Sequence, residues 1–223
     1  RDNYMTTGRV YQTVIERERN LGYNGKCVEV VPRVPEEVIR RIDHVAEQSQ
    51  ADFVLIEIGG TVGEYENILF LEALRMMRQR DADSVRSVIV SYLPVPPSIG
   101  EMKTKPTQHA VREANRAGIS PDFLIARSED EMDEPRREKL ARFCAIPIKH
   151  IIGAPNVESI YKIPQSFEDQ NFGDSLLESF GIDPKPANLD DWNELSDKIG
   201  TLKDEVKIGV IGKYFSSGAF VLS

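Results

Sequence analysis

Residues 84–128, "SVRSVIVSYLPVPPSIGEMKTKPTQHAVREANRAGISPDFLIARS", carry the pattern that sets the fold. The β-branched run within 84–97 reads as a buried strand. The segment from Gln108 reads as a helix, and Gly118 is its stop. Residues 122–128, "DFLIARS", read as a second strand. A strand, a helix and a strand at this spacing form a crossover unit, and crossover units join parallel strands.

The alternation extends in both directions. Upstream, residues 8–22 and 35–50 have the apolar spacing of amphipathic helices, with Gly22 and Pro35 as stop and start signals. Residues 26–34, "KCVEVVPRV", alternate as a strand, and residues 51–60, "ADFVLIEIGG", read as a strand buried on both faces. Residues 65–80 form a further helix. Downstream, 134–145 reads as a helix, 149–155 as a strand and 159–182 as one or two helices. The expected fold class is α/β: a mostly parallel sheet with helices on both faces, in three layers.

Residues 1–183 would form this domain. Residues 184–205 are polar, contain two prolines and read as a linker with a short helix from about Leu189, anchored by Trp192. Residues 206–223 read as the first strand region of a following domain. The chain opens "RDNYMTTGRVY", without an initiator Met, so both ends read as cut from a longer protein.

Composition narrows the function classes. Of 223 residues, 40% are hydrophobic and 29% charged, and the net charge is -8. That balance argues against a nucleic-acid polymer as partner and fits a local basic pocket for a small anion. Cys27 and Cys144 form no CxxC pair, so neither a zinc site nor a redox motif is suggested. A reducing cytoplasm is the expected compartment. There is no signal peptide, and no apolar run approaches the roughly 18 residues of a membrane span.

In open parallel sheets, ligands collect at the carboxyl ends of the strands. "GEMKTKPTQH", 100–109, follows such an end. Lys103 and Lys105 repel one another unless water screens them or an anion lies between them. Either a solvated loop or a polyphosphate site would account for the pair. In an extended stretch the two lysines would point the same way, and the helix after Pro106 would offer free N–H groups to the anion. Thr104, Thr107 and Gln108 would add donors. Glu57, inside an apolar run, would either pair with a lysine or ligate a hard cation such as Mg2+. Arg127 and Asn156–Val157 fall at two further strand ends. Four such ends favour a nucleotide site.

The strings "TTGRVYQTVIERER", "EIGGTVGEYEN", "GEMKTKPTQHAVRE" and "NVESIYKIP", in this order, resemble the synthetase (amidoligase) domain of CTP synthase over nearly the whole chain. The resemblance implies a dethiobiotin-synthetase-like fold of the P-loop type. It implies a ligase of pyrimidine biosynthesis that uses ATP to phosphorylate the 4-oxygen of UTP. Ammonia, released from glutamine in a C-terminal domain, then displaces the phosphate to give CTP. A homotetramer with CTP as feedback inhibitor, and GTP acting through the further domain, are implied as well.

Residue by residue, the resemblance makes Glu57 the Mg2+ ligand. It makes Lys103, Thr104, Lys105, Pro106, Thr107, Gln108 and Lys139 the UTP and CTP site. Glu64, Tyr65 and Glu66 match a CTP-contacting segment that is usually Asp-Ile-Glu. Pro155, Asn156 and Val157 match an adenine-binding turn that more often reads Lys-Asp-Val, and Arg127 flanks the adenine. The family's glycine-rich phosphate loop and its second metal-binding aspartate have no counterpart in the sequence; Gly25-Lys26 and Gly212-Lys213 are in the wrong context. No glutaminase nucleophile is present either. The segment alone is therefore expected to be inactive. Two alternatives stand beside the family reading. One is another ligase of the same fold acting on a small carboxylic acid. The other is a catalytically incompetent segment acting only as a nucleotide-binding or oligomerisation scaffold.

Overall fold

The computed structural model of the chain describes residues 3–202 and 206–209. Three parallel strands, β1 (Val88–Leu93), β2 (Phe123–Ser128) and β3 (Ile151–Pro155), form a sheet in the order β1-β2-β3. Leu93 lies opposite Ser128, and Ser128 opposite Pro155, so the three carboxyl ends share one edge. The helices are α1 (Thr7–Arg19), α2 (Val30–Ser49), α3 (Ile68–Arg80), α4 (Lys105–Arg116), α5 (Glu134–Cys144), α6 (Ile163–Glu168), α7 (Phe172–Ser179) and α8 (Asp190–Thr201). The fold is α/β, a parallel sheet flanked by helices.

Strand alternation divides the side chains between two faces. Leu124 and Ala126 of β2 face a core that also contains Ile89 and Leu93 of β1, Val111 of α4 and Leu140 of α5. Phe123 lies on the opposite face, stacked on His150 at 4.1 Å and edge-on to Phe172 of α7 at 5.7 Å. Each fully buried Leu or Phe contributes roughly 1.5–3 kcal/mol. The helix between β1 and β2 stops as its sequence demands. Gly118 has φ +78°, and a Cβ there would stand 2.9 Å from the Arg75 side chain.

A second core joins α1, α2 and α3 through Val10, Val14, Val34, Val38, Ala73 and Met77. An ionic knot closes it. Glu37 is 5% exposed and accepts hydrogen bonds from Arg40 and Arg41, while Arg41 also donates to Thr13 of α1 at 2.8 Å. Burial opposes the Glu37 charge, but the two guanidinium groups outweigh it and hold the carboxyl below its ordinary range. Arg78 of α3 reaches Asp122, just before β2, at 2.6 Å and also donates to Ser87. The helical layer is thereby tied to the start of the sheet.

Two expected strands do not form. Residues 26–29 have no regular structure, and from Val30 the chain enters α2, interrupted at Val31 (φ −105°, ψ 126°). Residues 51–60 also lack strand structure, and Phe53, Leu55 and Ile56 are exposed, Leu55 by 93%. A strand exists only with a ladder partner, and among the described residues neither segment has one. For the same reason β1 is buried on one face only. Its other face leaves Val88, Val90 and Tyr92 in water.

The linker helix does form: α8 begins after Leu189, and Trp192 Nε1 donates to the Tyr161 carbonyl at 2.7 Å. Of the strand expected over 206–223, residues 206–209 have no regular structure and the remainder lies outside the described residues. Among the described residues no helix is long and apolar enough to cross a membrane.

His150 provides a pH-dependent test of this packing. Burial against Phe123 disfavours the imidazolium, and the ring's Nδ1 lies 3.0 Å from the Asp122 carbonyl; the net effect lowers its pKa below the ordinary 6.5. The unfolded chain then binds the proton more readily than the folded one. Stability is fully present above 6.5 and declines as pH falls from 6.5 toward the lowered value. The midpoint of thermal unfolding should drop over that interval, and His150→Gln should flatten the drop. An unchanged slope in the variant would assign the pH response to other groups.

Candidate functional site

The shared carboxyl edge collects three loops. After β1, the chain runs through Pro94–Gly100 to Lys103, whose backbone N–H donates to the Pro94 carbonyl at 2.9 Å. Thr104 has helical dihedrals (φ −91°, ψ −11°), and Lys105 is already the first residue of α4, with Pro106 in its first turn. The extended geometry expected around Lys103 and Lys105 is therefore replaced by a loop–helix junction. Proline is tolerated there because a first-turn N–H has no helical partner.

Thr104, Thr107 and Gln108 are buried, and their side chains are engaged internally. Thr107 Oγ1 lies 2.8 Å from Ser91 Oγ of β1, and Gln108 Nε2 donates to Thr104 Oγ1 at 3.0 Å. This polar frame fixes the start of α4 to the end of β1. The lysines are left outward: Lys105 and Lys139 are exposed, and Lys103 is partly so.

A charge cluster surrounds Glu101. Its carboxylate pairs with Lys103 Nζ at 2.9 Å and with Arg136 Nη2 at 3.3 Å. The hydrogen bond from Lys103 lowers the Glu101 pKa, with smaller contributions from Arg136 and Lys139. Of the lysines expected together, Lys103 is paired with this carboxylate, whereas Lys139 makes no ion pair with it. Arg136 joins Lys103 there, although residues 127–138, "RSEDEMDEPRRE", read as a charged loop and helix start. Asp133 caps α5 through the Arg136 N–H at 3.1 Å and also pairs with the Arg136 guanidinium.

At the next two strand ends, Arg127 donates to the carbonyls of Ala154 and Pro155 at 2.9 and 3.2 Å, and to Asn156 Oδ1 at 3.0 Å. The Asn156 N–H returns to the Ser128 carbonyl. Arg127, Pro155 and Asn156 are therefore one connected unit, with half-buried Val157 next in sequence.

Glu57 and the 59–67 turn stand apart. Glu57 is exposed and without an ion pair among the described residues, so no burial cost calls for a lysine partner. Asn67 holds the turn by donating to the Thr61 carbonyl at 2.7 Å. Gly63, at φ +98°, lies against Glu113, two helical turns along α4 from Lys105. Glu64, Tyr65 and Glu66 are exposed.

Among the described residues no group of three or more His, Cys, Asp or Glu could cage a metal ion. A single open carboxylate nonetheless suits Mg2+, which keeps several waters and shares one or two carboxylates with substrate phosphates. Of the thiols, Cys27 is exposed, whereas Cys144 is buried and its pKa is pushed up to about 11 by burial, which makes it inert at neutral pH. A cleft of about 570 Å³ opens elsewhere, between α2 and α3, and holds none of the expected nucleotide residues.

Comparison with known proteins bears on the same elements. Residues 1–182 match the family model described as CTP synthase N-terminus. The chain is 41% identical over 214 residues to the CTP synthase of Pyrococcus abyssi, covering 96% of this chain and 40% of that protein. It is 39% identical over 215 residues to the CTP synthase of Herpetosiphon aurantiacus, with the same coverage of both chains. The chain spans about two fifths of the length of the curated relatives it matches.

Proposed function

The chain belongs to the CTP synthase family, matching its N-terminal part, and from that premise we propose that it is the synthetase domain of a glutamine-hydrolysing CTP synthase. In this reading residues 1–183 form that domain, 184–205 the linker, and 206–223 the start of the glutaminase domain. The full enzyme converts UTP to CTP through a 4-phosphorylated UTP. ATP supplies the phosphoryl group, and glutamine supplies ammonia through the further domain. CTP is the feedback inhibitor, GTP acts through the further domain, and the working state is a cytoplasmic homotetramer.

The observation that carries the reading is the placement of Lys103 just before the start of α4, at the carboxyl edge of the sheet, with the Arg127–Pro155–Asn156 unit at the neighbouring strand ends. Ammonium groups are strong point-charge binders of phosphate. Lys103, Lys105 and Lys139 hold the triphosphate of UTP or CTP. The buried Thr104, Thr107 and Gln108 hold the lysine-bearing junction rigid, and Pro106 sets the first turn. Arg127, Pro155, Asn156 and Val157 form the adenine side of the ATP site, with Arg127 serving to shape the Pro155–Asn156 turn. Glu64, Tyr65 and Glu66 contact CTP. Glu57 would hold Mg2+, which when bound supplies neutralisation of phosphate charge.

The direct test is nucleotide conversion by the full-length enzyme. UTP, ATP and ammonia should give CTP, and replacing UTP by small carboxylic acids should give no product. The isolated 223-residue chain should make no CTP from the same mixture, because its sequence holds no glycine-rich cradle for the ATP phosphates. CTP formed by the pure chain would overturn that expectation. Failure of the full-length enzyme to make CTP would favour the scaffold alternative.

A further inference from the structure

Lys103 and Arg136 share a counter-ion, and the three groups differ in how firmly they are held. Arg136 is fixed at three points: its Nε donates to the Met102 carbonyl at 3.1 Å, and its guanidinium pairs with Asp133 and with Glu101. Met102 is 8% exposed, so this carbonyl belongs to anchored backbone. The backbone of Lys103 is tied to Pro94. Glu101 has no such anchor. Its side chain is 56% exposed, against 34% for Lys103 and 23% for Arg136, and it is held only by the two cations. Arg136, through Met102 and Asp133, and the backbone of Lys103, through Pro94, are therefore held independently of the carboxylate, and the carboxylate is the component free to leave.

The chemistry fits a stand-in. Two cations held this close repel strongly unless an anion lies between them. One Glu101 oxygen takes Lys103 and the other takes Arg136, the divided contact that two oxygens of a phosphate would make. Arg136 is the group in the cluster suited to a planar, two-point grip on phosphate, which an ammonium cannot provide.

We propose that Arg136 is a further triphosphate-binding residue of the nucleotide site and that Glu101 is its exchangeable counter-ion, occupying the phosphate position until a nucleoside triphosphate displaces it. This rests on the reading of Lys103 as a UTP-binding residue. Arg136 then grips phosphate and, through Met102, also steadies the turn that presents Lys103. Glu101 lowers the apparent affinity for every triphosphate that uses the site, because the incoming anion must release the carboxylate first.

The experiment uses the full-length enzyme with Glu101→Gln, Arg136→Gln, Arg136→Lys and Lys103→Ala. The half-saturating UTP concentration and kcat are measured with ammonia at saturating ATP, together with half-saturation for ATP. Arg136→Gln should raise half-saturating UTP about tenfold, leaving kcat and the ATP value within about twofold, and Arg136→Lys should recover part of the loss. Glu101→Gln keeps the shape and removes the charge; it should lower half-saturating UTP about threefold, which loss of a mere support cannot do. The inference is overturned if Glu101→Gln raises half-saturating UTP. It is equally overturned if Arg136→Gln leaves the value within twofold while Lys103→Ala raises it, or if Arg136→Gln disturbs UTP, ATP and kcat alike. If Lys103→Ala itself has no effect, the underlying reading of the site fails instead.

Discussion

Replacing Glu57 with alanine in the full-length enzyme is expected to reduce CTP synthesis by roughly three orders of magnitude with either ammonia or glutamine, while glutamine hydrolysis persists. Glu57 is an open carboxylate inside an apolar run, with no ion pair among the described residues, so its removal strands no partner there. The loss should therefore be functional rather than structural, and thermal unfolding of the variant should match the parent. Glu57→Asp keeps the charge on a shorter stem and should raise the Mg2+ concentration needed for half-maximal rate. Near-normal synthesis by Glu57→Ala at ordinary Mg2+ would remove Glu57 from the site.

The second large effect concerns the lysines. Lys103→Ala and Lys105→Ala should each weaken both UTP use and CTP inhibition by about one to two orders of magnitude, since each charge-assisted hydrogen bond is worth roughly 1.5–3 kcal/mol. Both nucleotides should suffer because they share the triphosphate. Substitutions at Glu64 or Tyr65, which lie on a separate turn, should change the CTP constant more than the UTP constant. The two lysines should also differ from each other. Lys103 has Glu101 to release, whereas exposed Lys105 at the first position of α4 has no partner among the described residues. The measurement is half-saturating UTP and the CTP inhibition constant in the same variants. If both constants stay within twofold in both lysine variants, the junction is only a solvated loop.

The parts of the fold legible in the sequence were those with complete local signals. β1, α4 and β2 follow as elements from the apolar runs and the Gly118 stop, although α4 begins at Lys105, three residues before the expected Gln108, and β1 occupies only the middle of the 84–97 run. The expectation failed where an element depended on a partner. "VLIEI" has the composition of a central strand, yet composition cannot supply a ladder, and the segment stays irregular and exposed. The same limit applied at the site. Lys103 and Lys139 could be paired only through resemblance, since 35 residues of chain separate them, whereas Arg136 looked like one charge in an acidic loop. Its signal was the Asp133 cap three residues earlier, which turns the guanidinium back onto Met102. Thr107 and Gln108 were read as free donors. The short-range pattern does not reveal that Ser91 of β1 and Thr104 already engage them.

The uncovered apolar residues, Phe53, Leu55 and Ile56 on one segment and Val88 and Val90 on β1, have a colloidal consequence for the isolated chain. Contact between such surfaces is attractive at short range, and the net charge of -8 supplies the opposing long-range repulsion. Mutual attraction between chains, measured as a negative second virial coefficient, then grows whenever that repulsion is weakened. Acidification toward the isoelectric point near 5.1 weakens it by discharging the surface, and added salt weakens it by screening. Sulfate acts twice, screening the charge and strengthening apolar contact. The isolated chain is thus best kept dilute, at alkaline pH and low ionic strength.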